Sequence, residues 1–147
     1  MPRLATGLIA NGYLPGSDQA LRLLPGRSPD QLVRILELLA AVTPFANRPI
    51  EEMLLYEAPR LPWGATLLVV TGVAHEDLLA ALIALAAAGR PVVLFTLAEE
   101  PPRNRLPGVV VYHLPHLVDD LIAPVEAQSD HLHDNPTTPT GAPDAAQ

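Results

Sequence analysis

Residues 64–97 constrain the fold more than any other part of the chain. Gly64-Ala-Thr-Leu-Leu-Val-Val-Thr-Gly72 contains a short apolar run, Thr66 to Val70, rich in β-branched residues. A run without polar alternation fits a strand buried on both faces, as in a parallel sheet. His75-Glu76-Asp77-Leu78 opens a helix with acids in its first turn, where the helix dipole favours them. Gly89 is placed just past the helix end, and Pro91 prevents its continuation. Val92 to Leu97 then reads as a second buried strand. Strand, helix and parallel strand imply a right-handed crossover, so the expected class is α/β.

The other elements are read around this unit. Leu4 to Ala10 and Ala20 to Leu24 predict a hairpin, joined through turn chemistry at Asn11-Gly12 and Pro15-Gly16-Ser17-Asp18. Ser28-Pro29-Asp30-Gln31 predicts a helix start: Ser28 as cap, Pro29 at the first helical position, and Gln31 completing a capping box. That helix runs to about Val42, with Leu32, Ile35, Leu36 and Leu39 on one face. Pro49 to Ala58 predicts a second helix with acids in its first turn, closed by Pro59 and Pro62. Val109 to Leu114 predicts a third short strand, and Leu117 to Glu126 a short terminal helix. The composition changes at Ala127. Residues 127–147 carry one large apolar side chain, Leu132, and read as a disordered polar tail after a folded region at 1–126.

Composition narrows the function classes. With 147 residues and 49% hydrophobic content the chain can bury a real core. It has no cysteine, which removes disulfides, thiolate metal sites and cysteine nucleophiles. The net charge of -7, with nine arginines and no lysine, argues against general nucleic-acid binding. The missing lysine, beside abundant Ala, Pro and Arg, reads as the codon usage of a GC-rich genome. The N-terminal residues do not form a signal peptide pattern. The longest apolar run, Leu78 to Ala88, is shorter than the roughly 20 residues that cross a bilayer. The expectation is a cytoplasmic protein that does not insert into membranes itself.

The order of elements, with particular residues, resembles a known family. Those residues are Thr6-Gly-Leu-Ile-Ala-Asn-Gly12, Leu24-Pro-Gly26, Gln31-Leu-Val-Arg-Ile-Leu-Glu-Leu-Leu-Ala40, Leu61-Pro-Trp-Gly-Ala-Thr-Leu-Leu-Val-Val-Thr71 and Ala87-Ala-Gly-Arg-Pro-Val-Val-Leu94. They resemble the C-terminal half of a von Willebrand factor A-like domain, of the bacterial family numbered fifty-eight among the domains of unknown function. The likeness spans roughly residues 4–126. It implies a three-layer, Rossmann-like sheet with an antiparallel N-terminal hairpin, lacking its first central strand. Full members resemble membrane-anchored proteins that partner MoxR-type AAA+ ATPases. In metal-binding relatives the first strand ends in Asp-x-Ser-x-Ser, and no such motif occurs here. The relatives' metal-site Thr falls near Arg48, and their Asp falls at Gly72. The resemblance therefore implies no adhesion-type metal site, since the oxygen ligands a hard cation needs are absent. The missing strand would leave two sheet edges open. An upstream-encoded half-domain, another partner or a second copy in a homodimer would close them.

Candidate chemistry is sparse. Thr71, His75 and Glu76 lie at the end of a predicted strand, the usual site position in such sheets, together with Thr96. A titrating His there suits acid–base work, yet a helix N-terminus with favourable acids explains the same residues. His113 and His116, and His131-x-His133 in the tail, fall short of the four ligands of a structural zinc site. Arg90, Arg103 and Arg105 could meet an anion, but no Gly-rich phosphate loop accompanies them. Ser17, Ser28 and Ser129 lack a nucleophile-elbow context. No cofactor is expected. The helix from Asp77 to Ala88 is apolar on nearly every side, and Ala80, Ala84, Ala87 and Ala88 form a candidate interaction surface. Helix-favouring compositional bias accounts for those alanines equally well. The preferred expectation is a non-enzymatic protein–protein interaction or assembly domain. The alternatives are a small α/β enzyme or ligand-binding domain using the strand ends near Thr71 and His75, and a truncated gene product without an independent role.

Overall fold

The computed structural model describes residues 4–12, 21–43 and 48–121. The expected hairpin loop at 15–18, the polar tail and the tail histidines His131 and His133 lie outside them. The expected helix 117–126 is described only for 117–121, which are helical. The elements run β1 (Thr6–Ala10), β2 (Leu21–Gly26), α1 (Gln31–Ala41), α2 (Ile50–Glu57), a 3-10 turn (Ala58–Arg60), β3 (Leu67–Thr71), α3 (Glu76–Ala87), β4 (Val92–Thr96) and β5 (Val109–His113). The class is mixed α/β. The antiparallel pair β1–β2 forms one sheet and the parallel order β3–β4–β5 forms another.

The hairpin is shaped by Pro25. The register jumps between Thr6↔Gly26 and Leu8↔Leu23, so β2 has one extra residue there. Proline has no N–H to give the ladder, and a bulge is where a strand tolerates it. Gly7 sits opposite, and a Cβ on it would lie 2.7 Å from the Leu23 carbonyl oxygen. Gln31 completes this arrangement. Its buried side chain donates from Nε2 to the carbonyl oxygens of Thr6 (2.6 Å) and Leu24 (3.0 Å).

This corrects the capping box. Gln31 does not reach back to Ser28; it is the first helical residue and fastens α1 to the bulge. Ser28, Pro29 and Asp30 form the preceding turn, in which Ser28 Oγ accepts from Asp30 N at 3.3 Å. The expected inward face of α1 is also corrected. Leu32, Leu36 and Leu39 are exposed, while Gln31, Ile35 and Leu38 are the more buried positions.

The core lies on one face of the parallel sheet. Leu67 and Val69 of β3, Val92 and Leu94 of β4, and Leu78, Leu82 and Leu85 of α3 form it with Ala58 and Leu106. Ile50 and Leu54 of α2 pack against the same cluster, so α2 and α3 cover the same side. The right-handed rule for β3–α3–β4 admits only one side for α3. The β4–β5 connection, residues 97–108, contains no helix. Gly89 follows α3 with φ +85°, and its N–H donates to the Ala86 carbonyl at 3.0 Å. The left-handed region suits glycine at a helix C-terminus, as the sequence indicated.

Candidate functional site

The most distinctive surface is the other face of this sheet. Strand register places Leu68, Val93 and Val110 in one row, and Val70, Phe95 and Tyr112 in the next. Side chains alternate along a strand, so these six oppose the core set. Leu68 is 61% exposed, Val70 57%, Val110 52% and Tyr112 49%. The Phe95 and Tyr112 rings stack, with centroids 4.9 Å apart and planes 15° apart. No polar side chain interrupts the two rows. Parallel sheets are ordinarily covered on both faces. The expectation that Thr66 to Val70 is buried on both faces is therefore corrected: β3 alternates between buried and exposed positions.

The β3 edge continues this surface. Leu67 N–H donates to Pro91 O at 2.9 Å, and Leu97 N–H to Thr71 O at 2.9 Å. These two bonds set the phase of the parallel ladder. Residues 67, 69 and 71 direct their backbone groups to β4, so Leu68 and Val70 direct theirs outward. Among the described residues no strand pairs along that outer edge, and no ladder joins the two sheets. The two halves meet instead at an ion pair, Arg22 Nε to Glu57 Oε2 at 3.5 Å.

The strand-end candidates occupy local roles. Thr71 Oγ1 donates to Val73 O at 2.9 Å and accepts from Val73 N at 3.2 Å, closing a short turn. His75 precedes α3, and its Nε2 lies 3.0 Å from Glu51 Oε2, linking the starts of α3 and α2. The Glu51 carboxyl is held below its ordinary value, first by a hydrogen bond from its own backbone N–H and then by His75, against a desolvation that pushes the other way. Glu76 is exposed. Thr96 is fully buried, and its Oγ1 accepts from Ala98 N at 3.3 Å. His113 Nε2 donates to Ala98 O at 2.8 Å. Thr71, His75 and Thr96 are thus each engaged with neighbouring backbone or with Glu51, and no shared polar pocket forms among them.

The arginines are partnered or solvated. Arg90 donates to the Pro62 and Leu61 carbonyls at 3.1 and 3.2 Å, so it holds the approach to β3 and offers no free anion site. Arg103 pairs with Glu100 at 3.7 Å on the surface, and Arg105 is exposed. His116 lies 3.9 Å from Asp119. Arg48 and Gly72, the two metal-site positions the resemblance aligns, are both exposed. Among the described residues no group of three His, Asp or Glu side chains is placed to hold a metal ion, and no helix is long and apolar enough to cross a membrane.

Two shallow grooves flank the sheet. One of 320 Å³ lies between Trp63, Pro59, Ala88, Gly89 and Pro91, with Trp63 95% exposed. The other, of 590 Å³, runs between residues 101–107 and the Val109–Val111–His113 side of β5, which is the core side of the sheet. Ala80, Ala84, Ala87 and Ala88 are all exposed along α3, while its leucines Leu78, Leu82 and Leu85 point into the core. The alanine stripe is thus an outward face. The six-residue sheet face was missed. Its signal was the single crossover helix for three parallel strands, which leaves one side without a cover among the described residues.

Each parallel strand is followed by an exposed acidic pair: Glu76 and Asp77 after β3, Glu99 and Glu100 after β4, Asp119 and Asp120 after β5. The carboxyl end of the sheet therefore carries six acids, of which Glu100 is paired with Arg103 and Asp119 lies beside His116. Comparison of the chain with protein-family models, curated proteins and solved structures finds no match.

Proposed function

We propose that this chain is a non-enzymatic protein–protein interaction or assembly domain whose working surface is the uncovered face of β3–β4–β5. The observation that carries this reading is the pair of apolar rows, Leu68–Val93–Val110 and Val70–Phe95–Tyr112, with four of the six side chains about half exposed or more. A contiguous apolar patch of this kind marks an interaction surface. The local engagement of Thr71, His75 and Thr96 supports this over catalysis at the strand ends.

The antiparallel hairpin followed by a parallel sheet supports the von Willebrand A-like resemblance. The absence of a ladder between the two sheets agrees with a missing first strand. On this reading the domain lacks a metal-ion-dependent adhesion site and works by protein contact. An upstream-encoded half-domain or a MoxR-type AAA+ ATPase is the partner class that the resemblance implies.

The test is affinity purification of the full chain from its native host beside a Val110→Arg, Tyr112→Arg double variant. A partner retained in stoichiometric amount by the native chain and lost by the variant supports the reading. Equal retention by both, or no retained partner together with saturable stabilisation of the native chain by a small metabolite, refutes it.

A further inference from the structure

We propose that the outer edge of β3 and the uncovered face beside it together seat a strand–helix segment supplied by a partner: an apolar strand pairing parallel to β3, followed by an amphipathic helix lying across the six apolar side chains. This rests on the interaction reading above and names the chemistry of the partner.

The edge is built for pairing. Leu68 and Val70 direct both N–H and C=O outward, and their side chains sit on the uncovered face. The strand Leu-Leu-Val-Val-Thr carries no charge, no proline and no bulge, the devices that normally blunt an exposed edge. An added strand would gain backbone hydrogen bonds and extend the apolar rows by one column.

The size of the face selects the occupant. Three strands of five residues give a surface of roughly 16 Å by 14 Å, from about 3.3 Å per residue and 4.8 Å between strands. Two copies stacked face to face would bury roughly 450 Å² of sheet footprint, twice the face of about 16 Å by 14 Å, well below the roughly 1,200–2,000 Å² of a stable association. One helix of about eleven residues, about 16 Å long and 10–12 Å wide, covers the same surface. The helix alone is too small to hold on, so the strand anchors it.

Charge sets the direction. A helix that follows a strand parallel to β3 begins at the carboxyl end of the sheet. Its N-terminus carries the positive end of the helix dipole. That end lies at the same end of the sheet as the acidic pairs Glu76–Asp77, Glu99–Glu100 and Asp119–Asp120, of which Glu100 is already paired with Arg103. The opposite strand direction would bring the negative helix end there. A basic residue in the connection between strand and helix adds to this match.

The test is backbone hydrogen exchange of the full chain, read at Leu68 and Val70. The probe is a synthetic peptide with a Thr/Val strand of six residues, a Gly-Arg connection and a twelve-residue Leu/Ala/Lys helix. Its control carries N-methyl groups at alternate strand positions. The expected result is at least roughly tenfold slower exchange at Leu68 and Val70 with the probe and none with the control. Val70→Pro should abolish this protection at Leu68, the remaining reporter amide, and leave the fold intact, because the Val70 N–H points away from β4. No protection at millimolar probe overturns the proposal. Probe binding that Val110→Arg abolishes but Val70→Pro and N-methylation do not would overturn strand addition while leaving the interaction face standing. Protection in the chain alone also overturns it. If that protection fades on dilution, a second copy is the occupant; if it is lost in Leu121→Asp, the chain's own C-terminal helix is.

Discussion

The two faces of the parallel sheet should respond very unequally to the same truncation. Leu94 lies in the central strand, is 0% exposed, and belongs to the core cluster with Leu78 and Leu82. Leu94→Ala removes its transfer energy and leaves a cavity that the helix above can only partly collapse, so the cost should be about 3–5 kcal/mol. Leu68 is 61% exposed on the neighbouring strand. It keeps 39% of its surface from water (100 minus 61), and full burial of a leucine is worth about 1.5–3 kcal/mol, so Leu68→Ala should cost about 1 kcal/mol or less. Domains of this size have about 5–15 kcal/mol in total, so the first variant approaches the unfolding threshold and the second does not. Urea unfolding followed by far-UV circular dichroism measures both. Equal losses for Leu68→Ala and Leu94→Ala in dilute chain would mean that something already covers the second face, and the reasoning from an open face would fail.

Three further outcomes are expected. Gln31→Leu leaves the Thr6 and Leu24 carbonyls without their donor and should cost about 1–3 kcal/mol, with faster amide exchange in β1 and β2 and none of that effect in β4. Gly89→Ala should cost about 1–2 kcal/mol by forcing a side chain to φ +85°, whereas Gly72→Ala, which has open space and no positive φ, should be neutral in the same melt. The Glu51 carboxyl has a folded pKa below its ordinary 4.5, so its contribution is present above that value and is lost as pH falls through the lower folded one. Thermal melts of the native chain and Glu51→Gln should therefore diverge above pH 4.5 and converge in stronger acid.

Much of the architecture is legible in the residues. The crossover unit is readable because Glu76 and Asp77, Gly89 and Pro91 punctuate it, and the observed α3 begins and ends where those signals place it. Two failures have a common cause. An apolar run such as Leu67–Val70 has the same pattern whether one face or both are covered, because burial belongs to the neighbours and not to the strand. In the same way Leu32, Leu36 and Leu39 mark an apolar stripe on α1, but the hairpin α1 packs on is only two strands wide. The capping reading of Gln31 failed for a different reason. Local pairing with Ser28 competed with two carbonyls made needy by a bulge some distance away in sequence, and the buried pair won. Thr71 and His75 were legible as strand-end residues, but their engagement by Val73 and Glu51 depends on loop geometry that no motif encodes.

The unblunted β3 edge has a consequence for the life of the protein in a cell. On the proposed interaction reading, newly made copies that have not met a partner would present an apolar template to one another and to the quality-control machinery. Copies made in excess would then be removed or would clump, while engaged copies would persist. Abundance would follow the supply of the partner more closely than the rate of the chain's own synthesis, and balanced production of the two would become a requirement that the edge itself enforces.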